Sequence, residues 1–355
     1  MIVSSTGDAA GRSSTPGAVT TRRSLTGVKP TGEPHLGNLV GAIEPAIAMT
    51  GEYESLYFIA DYHALTTARD PEQLAHWTRS VAATWLAAGL DPQRTVFYRQ
   101  SDVPQTFELS WVLSCLTGKG LMNRAHAYKA ARDANLAAGE DADAGINMGT
   151  YNYPILMAVD ILIMEAHVVP VGRDQLQHVE IAADIAGSFN HLYGRHGYRF
   201  PIPEAVVPPE TTGHTLPGLD GRKMSKSYDN YVPLFLPAPK LRKLVRRIPT
   251  DSTPVEDPKD PDSSAVFQIL AQFAAADQVA ETRARLEAGG VGWGELKNQL
   301  ADVLEERLGP MRERYEVLME PGSELDEALT RGGDIARERA QRVLTSVRSA
   351  IGIDR

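Results

Sequence analysis

Cys115 is the only cysteine in the chain, so an internal disulfide framework and a thiolate zinc site are both excluded. The single cysteine agrees with a reducing compartment. No uninterrupted apolar run is long enough to cross a bilayer, so no membrane association is expected. Excess basic charge is also missing. The net charge of −9 argues against indiscriminate nucleic-acid binding, which needs a broad cationic surface to displace counterions. Met1 to Ser24 has almost no large apolar residues and is rich in Ser, Thr, Gly and Ala, so it lacks the core of a secretory signal. We read residues 1–23 as a disordered tail, with an Arg- and Ser-bearing organellar transit peptide as the alternative. Internal repeats and a Walker-type loop are absent. His126, His167, His178, His191 and His196 show no metal-ligand spacing, and no protein metal site is expected.

What is present divides in two. Short apolar runs, Ser24–Val28, Leu56–Asp61, Thr95–Gln100 and His167–Val171, alternate with helix-like segments at Leu36–Thr50, Pro71–Ala88, Pro104–Gly118, Ile155–Glu165 and Asp174–Phe189. This alternation predicts an α/β fold with a parallel sheet covered by helices on both faces, over residues 24–236. Asp70 suits an N-cap, Pro71 a first helical turn and Gly89 a stop. Pro249 to Asp262 reads as a linker. Beyond it Leu296, Leu300, Val303, Leu304 and Leu308 share one helical face, as do Ile335, Ala336, Ala340, Val343, Leu344 and Val347. Residues 237–355 are therefore expected to be all-helical. The Gly289–Gly294 run lacks the preceding strand of a dinucleotide fingerprint and is read as a turn.

Two motifs carry chemistry. The first, Pro30-Thr31-Gly32-Glu33-Pro34-His35-Leu36-Gly37-Asn38, follows a strand and opens a helix, where backbone N–H groups favour anions. Gly37 would let an adenine ring or phosphate approach the backbone, and His35 and Asn38, one turn apart, could meet the same triphosphate. The bland reading is that both cap an ordinary helix. The second is Lys223-Met224-Ser225-Lys226-Ser227, two mobile ammonium groups and two hydroxyls after the loop Leu216–Arg222. Surface loops are often rich in Lys and Ser, but this one lies between an α/β region and a helical one. Between the motifs, Met157 and Asp160 share a face of an apolar helix after Tyr153-Pro154. A carboxylate there is costly unless something donates to it, and an indole N–H is a donor only. A buried ion pair or a helix cap is the alternative.

Together the two motifs resemble the signatures of class I aminoacyl-tRNA synthetases, and the stretch between them resembles a tryptophanyl-tRNA synthetase, from about Leu25 to the C-terminus. The resemblance implies a Rossmann-like catalytic domain followed by a helical domain that contacts the tRNA anticodon. It also implies activation of L-tryptophan by ATP with Mg²⁺, release of pyrophosphate, and acyl transfer to tRNA(Trp). Lys223, Lys226, Ser227 and His35 would act on the reacting phosphates. ATP would meet Lys29, Gly32, His35, Gly37, Asn38, Gly172, Asp174 and the Lys223–Lys226 segment, including Met224 and Ser225. Tryptophan would meet His63, Tyr153, Met157, Asp160, Val169, Val171 and Gln175. Family members are cytoplasmic homodimers, which makes the segments after Asp102-Val103-Pro104 candidate interface. In that setting the strip Lys240, Arg242, Lys243, Arg246 and Arg247, with Arg337, Arg339 and Arg342, becomes a candidate phosphate contact. Two departures stand out: Lys29 where glutamine is usual, and Arg173 where an acid is common. They motivate the hypothesis of an isoform with altered sensitivity to tryptophan-like inhibitors, which unchanged inhibition of a Lys29→Gln variant would sink. A tyrosyl-tRNA synthetase, or a synthetase-derived binding protein without catalysis, are the rival readings.

Overall fold

A computed structural model describes residues 22–207 and 216–354. The expected N-terminal tail, apart from Arg22 and Arg23, lies outside the described residues. Strands β1 (Arg23–Val28), β2 (Glu54–Ile59), β3 (Val96–Arg99), β4 (Val168–Pro170) and β5 (Glu204–Val206) form one parallel sheet, in spatial order β3-β2-β1-β4-β5. Four of the strands match the expected runs. The fifth, three residues after Pro201-Ile202-Pro203, is too short to show any periodicity.

In β2, Tyr57 and Ile59 join the core on one face while Leu56 and Phe58 join the core on the other. Both faces are thus covered, as a parallel sheet requires. The helix Pro71–Ala87 begins as expected, with Asp70 accepting from the backbone N–H groups of Glu72 and Gln73 at 2.9 and 3.1 Å. Gly89, at φ 107°, closes it.

Several boundaries differ from expectation. The first helix runs from Leu36 to Ala48 with a π segment at Leu39–Ile43, and the next expected helix is Gln105–Ser114. The helix expected from Ile155 begins earlier, at Met148. Asn147 caps it by accepting the Thr150 N–H at 2.9 Å, and Pro154 lies inside it. A Tyr-Pro pair ordinarily reads as a boundary, but here burial of the apolar turns beyond it outweighs one missing helix hydrogen bond. The helix expected from Asp174 runs Leu176–Tyr193, behind a 3₁₀ turn. Helices Lys119–Met122 and His126–Ala137 were not foreseen; the second turns only a half-buried face, with Tyr128, Ala131 and Asn135, toward the protein.

Beyond Pro237 the helices Ala238–Val245, Ala265–Phe273, Ala276–Ala288 and Trp293–Met319 share a core through Leu241, Phe267, Leu286, Leu300 and Leu304. The last helix, Glu324–Ile351, leaves them and packs on β3, burying Ala336, Ala340, Val343 and Val347 with Leu25 and Phe58 of the sheet. Ile335 was expected on that face but is 41% exposed. The Pro249–Asp262 linker is held down by the buried Lys259, whose ammonium donates to the carbonyls of Pro254 and Asp257 at 2.6 and 3.0 Å.

Candidate active site at the carboxyl ends of the strands

The carboxyl ends of β1 to β4 lie along one edge of the sheet, and the segments leaving them carry most of the expected residues. β1 leads to Lys29 and the Pro30–Asn38 turn, β2 to the short helix Asp61–Ala64 with His63, and β4 to Val171, Gly172 and the turn Arg173–Gln175. The strand order reverses at β1, where open α/β sheets leave a crevice for ligands.

In the turn after β1, Gly32 adopts φ 98°, a left-handed conformation that favours glycine. His35 is buried, and its Nδ1 has no hydrogen-bond partner among the described residues. Burial, then the charge of Lys226, lower its pKa to about 4, so the ring is neutral at physiological pH. Asn38 Oδ1 accepts the backbone N–H of His35 at 3.1 Å. The Asn38 side-chain carbonyl thus serves the helix N-terminus, which leaves its amide nitrogen to donate elsewhere. A Cβ on Gly37 would come within 3.0 Å of the His35 ring, so its missing side chain first makes room for that imidazole.

The lysine–serine segment is clasped to this turn. Leu36 donates its N–H to the Val232 carbonyl at 3.0 Å, and Leu234 donates to the Pro34 carbonyl at 3.3 Å. Lys226 Nζ donates to the Thr31 carbonyl at 3.1 Å; burial lowers its pKa and the charge of Glu33 opposes that. Met224 is buried, whereas Lys223 and Ser227 are exposed. Ser225 Oγ accepts the Ser227 N–H at 3.2 Å.

At the other end Asp160 is 3% exposed and bonded to His63, whose Nε2 lies 3.0 Å from Oδ2. The carboxylate beside Nε2 accepts from the ring, and Nδ1 is buried with no hydrogen-bond partner among the described residues. Burial raises the pKa of Asp160, and its hydrogen bonds pull it back. The Tyr153 ring packs edge-on between His63, at 4.6 Å, and His178, at 5.1 Å. Met157 is half-buried one turn before Asp160, and Val169 and Val171, two apart along β4 and its exit, share one side. Gln175 is half-buried at the start of its helix, and its N–H donates to the Gly172 carbonyl at 3.0 Å. The Asp174 side chain lies outside the described residues. Lys29 is half-buried; its Nζ donates to Thr66 Oγ1 at 2.9 Å, and burial lowers its pKa. Arg173 is exposed.

Comparison with known proteins gives the family. A family model described as "tRNA synthetases class I (W and Y)" covers residues 20–309. The Tryptophan--tRNA ligase of Neisseria meningitidis is 50% identical over 335 residues, 94% of this chain and 98% of that one. The chain belongs to the tryptophanyl-tRNA synthetases. The Pseudomonas aeruginosa Tryptophan--tRNA ligase is 52% identical, over 94% of this chain and 74% of that protein. The Campylobacter jejuni tryptophanyl-tRNA synthetase complexed with ADP and tryptophan superposes with a TM-score of 0.84 at 41% identity, over 93% of this chain and 99% of that one.

For a tryptophanyl-tRNA synthetase of this sequence, two structurally prominent residues were not foreseen. Asn230, 2% exposed, braces the lysine–serine segment. Its Oδ1 accepts the Ser225 N–H at 2.8 Å, and its Nδ2 donates to the Lys223 carbonyl at 3.0 Å and to Asp220 at 2.6 Å. A Cβ on Gly218 would collide with it. Gln100 follows the carboxyl end of β3 directly and donates to Asp160. The strand-end rule that found His63 could have found Gln100; nothing short of tertiary contacts reveals Asn230.

Proposed function

We infer that the chain is a tryptophan–tRNA ligase working through the clasped motifs and the Asp160 pocket. It activates L-tryptophan with ATP, releasing pyrophosphate, and passes the acyl group to the terminal ribose of tRNA(Trp). The observation that carries the amino-acid choice is a buried carboxylate, Asp160, at the carboxyl edge of the sheet. An acceptor-only group there suits an indole N–H better than a phenol, which both donates and accepts. Tyr153 and Gln175 are assigned to the ammonium group, with Met157, His63, Val169 and Val171 as walls.

The attacking carboxylate of tryptophan needs no covalent help at phosphorus; charge builds on phosphoryl oxygens, so placement and electrostatics do the catalysis. We assign Lys223 and Lys226 to the departing pyrophosphate, Ser225 and Ser227 to hydroxyl donation, and neutral His35 to a phosphate oxygen. The turns at Lys29, Gly32, Gly37, Asn38, Gly172 and Asp174, with Met224, are assigned to the rest of the nucleotide. Among the described residues no group of three or more His, Cys, Asp or Glu is arranged to hold a metal ion. Mg²⁺ therefore enters this reading with ATP, ligated by phosphates and water, as that hard cation favours.

Residues 237–355 are proposed to carry the anticodon contacts, with Lys240, Lys243, Arg246 and Arg247 exposed on or beside one helix. Arg339 is bound to Glu54 and Arg342 to Glu338, which argues for the strip over those arginines. A homodimer is supported by the exposed Phe107 and Trp111 on the helix Gln105–Ser114, with Trp111 73% exposed. No helix among the described residues is long and apolar enough to cross a membrane; a cytoplasmic location stays part of the proposal. Pyrophosphate exchange with tryptophan, tyrosine and no amino acid tests the whole. Exchange should require tryptophan, and tyrosine-dependent exchange, or none, would favour the rivals.

A further inference from the structure

Gln100 is 1% exposed and makes contacts that only a primary amide can combine. Its nitrogen donates to both oxygens of Asp160, at 2.9 Å to Oδ1 and 2.8 Å to Oδ2. Its carbonyl accepts the backbone N–H of His63 at 3.3 Å. His63 in turn reaches Asp160 Oδ2 through Nε2. Three residues from three strand ends or helices thus close a buried ring, with the carboxylate as its only anion. A carboxylate has about four lone-pair sites, so the contacts from Gln100 and His63 leave room for one further donor.

We propose that Gln100 is a positioning residue for substrate choice, holding both oxygens of Asp160 so that this carboxylate faces the pocket as an acceptor-only group for the indole N–H. The inference rests on the assignment of Asp160 to the indole given above. Without the amide, Asp160 would keep only His63 as a partner. Burial would then favour the protonated acid, which can donate as well as accept and so no longer rejects a ring without N–H. Other titratable groups near the ring are few. Tyr98 on β3 is fully buried, with its phenol pushed up by burial and by Asp160; Asp102 and Arg339 act on Tyr98, and His178 lies across Tyr153. Among the described residues Gln100 is the one neutral donor that touches both carboxylate oxygens.

The test is pyrophosphate exchange with tryptophan and with its benzothiophene analogue, in which sulfur replaces the N–H, between about pH 6 and about pH 8. Wild type should prefer tryptophan strongly, with a ratio of kcat/KM values that is flat across the range. Gln100→Leu should lose about 10-fold or more of that preference. Its loss should be worst at low pH, where an unsupported Asp160 takes up a proton. Gln100→Glu should slope the other way. Its protonated acid donates to Asp160 as the amide does, and rising pH removes that donor and sets two anions side by side. KM for ATP should stay within about threefold in every variant, because the phosphates bind elsewhere along the strand ends. An unchanged preference in Gln100→Leu, or a Gln100→Glu ratio that does not fall with rising pH, overturns the proposal; the second result serves even if the leucine variant fails to fold. Full discrimination in Asp160→Ala, which removes the acceptor, would instead overturn the assignment of Asp160 itself.

Discussion

Gly332, inside the last helix, lies directly on the backbone of Phe97 in β3, so close that a Cβ would run into the Phe97 carbonyl. This contact lets a helix near the C-terminus serve as the outer wall of the catalytic sheet. Its neighbour Gly333 faces Asp102 instead, where a Cβ would stand 3.0 Å from a side chain. Gly332→Ala should therefore destabilise by about 3 kcal/mol or more, the upper range for overpacking against an unyielding neighbour. Gly333→Ala should cost less, about 1 to 2 kcal/mol, because the contact is a tight one of about 3 Å with a side chain rather than an overlap with backbone. Denaturant melts of the two variants check the ordering, and equal effects would contradict the packing described.

Asn230 ties Lys223 and Ser225 to one rigid point. Asn230→Ala should slacken the segment and lower the rate of pyrophosphate exchange at saturating tryptophan by about 10- to 100-fold, as misplacement of charged catalytic groups does. KM for tryptophan should hardly move, since no tryptophan-site assignment involves that loop. A variant that changes only KM for tryptophan would contradict this.

His35 supplies a pH dependence of stability. Its folded pKa, about 4, lies below its ordinary value of 6.5, so the unfolded chain binds the extra proton first. The stabilisation is fully present above about 6.5 and is lost as pH falls from there to about 4. Wild-type stability should thus decline across that window, and His35→Gln should decline less steeply. Parallel curves for the two proteins would contradict a neutral, buried imidazole. Exchange activity should show no step from His35 between about pH 5 and about pH 8.

Trp111 is the most exposed large apolar side chain in the described residues, on a helix that also presents Phe107. If two copies meet there, Trp111→Asp should shift the protein toward monomer in sedimentation experiments. A dimer undisturbed by the change would place the interface elsewhere.

Much of the site was readable from residue order alone. Strand ends followed by Lys29, His63 and Gly172 pointed to one edge, because a parallel sheet puts every such exit on the same side. Gln100 escaped notice because it was counted as the last residue of a strand, although it is the first residue beyond one. The helix His126–Ala137 escaped notice because its inward face, Tyr128, Ala131 and Asn135, mixes polar and apolar residues and none of its residues is fully buried. Spacing did not show that the Asn38 carbonyl would serve the helix N-terminus, because an asparagine one turn into a helix can turn its oxygen inward and its amide nitrogen outward.

Sequence by itself settled the periodicities, the two motifs and an acid in an apolar helix, since each is written in neighbouring residues whose local chemistry is short-ranged. Only the folded chain decided that Lys226 reaches Thr31, that Gln100 and His63 share the load on Asp160, and that the last helix closes the sheet. Those are contacts between residues far apart in the chain, formed where packing leaves a buried polar group no other partner.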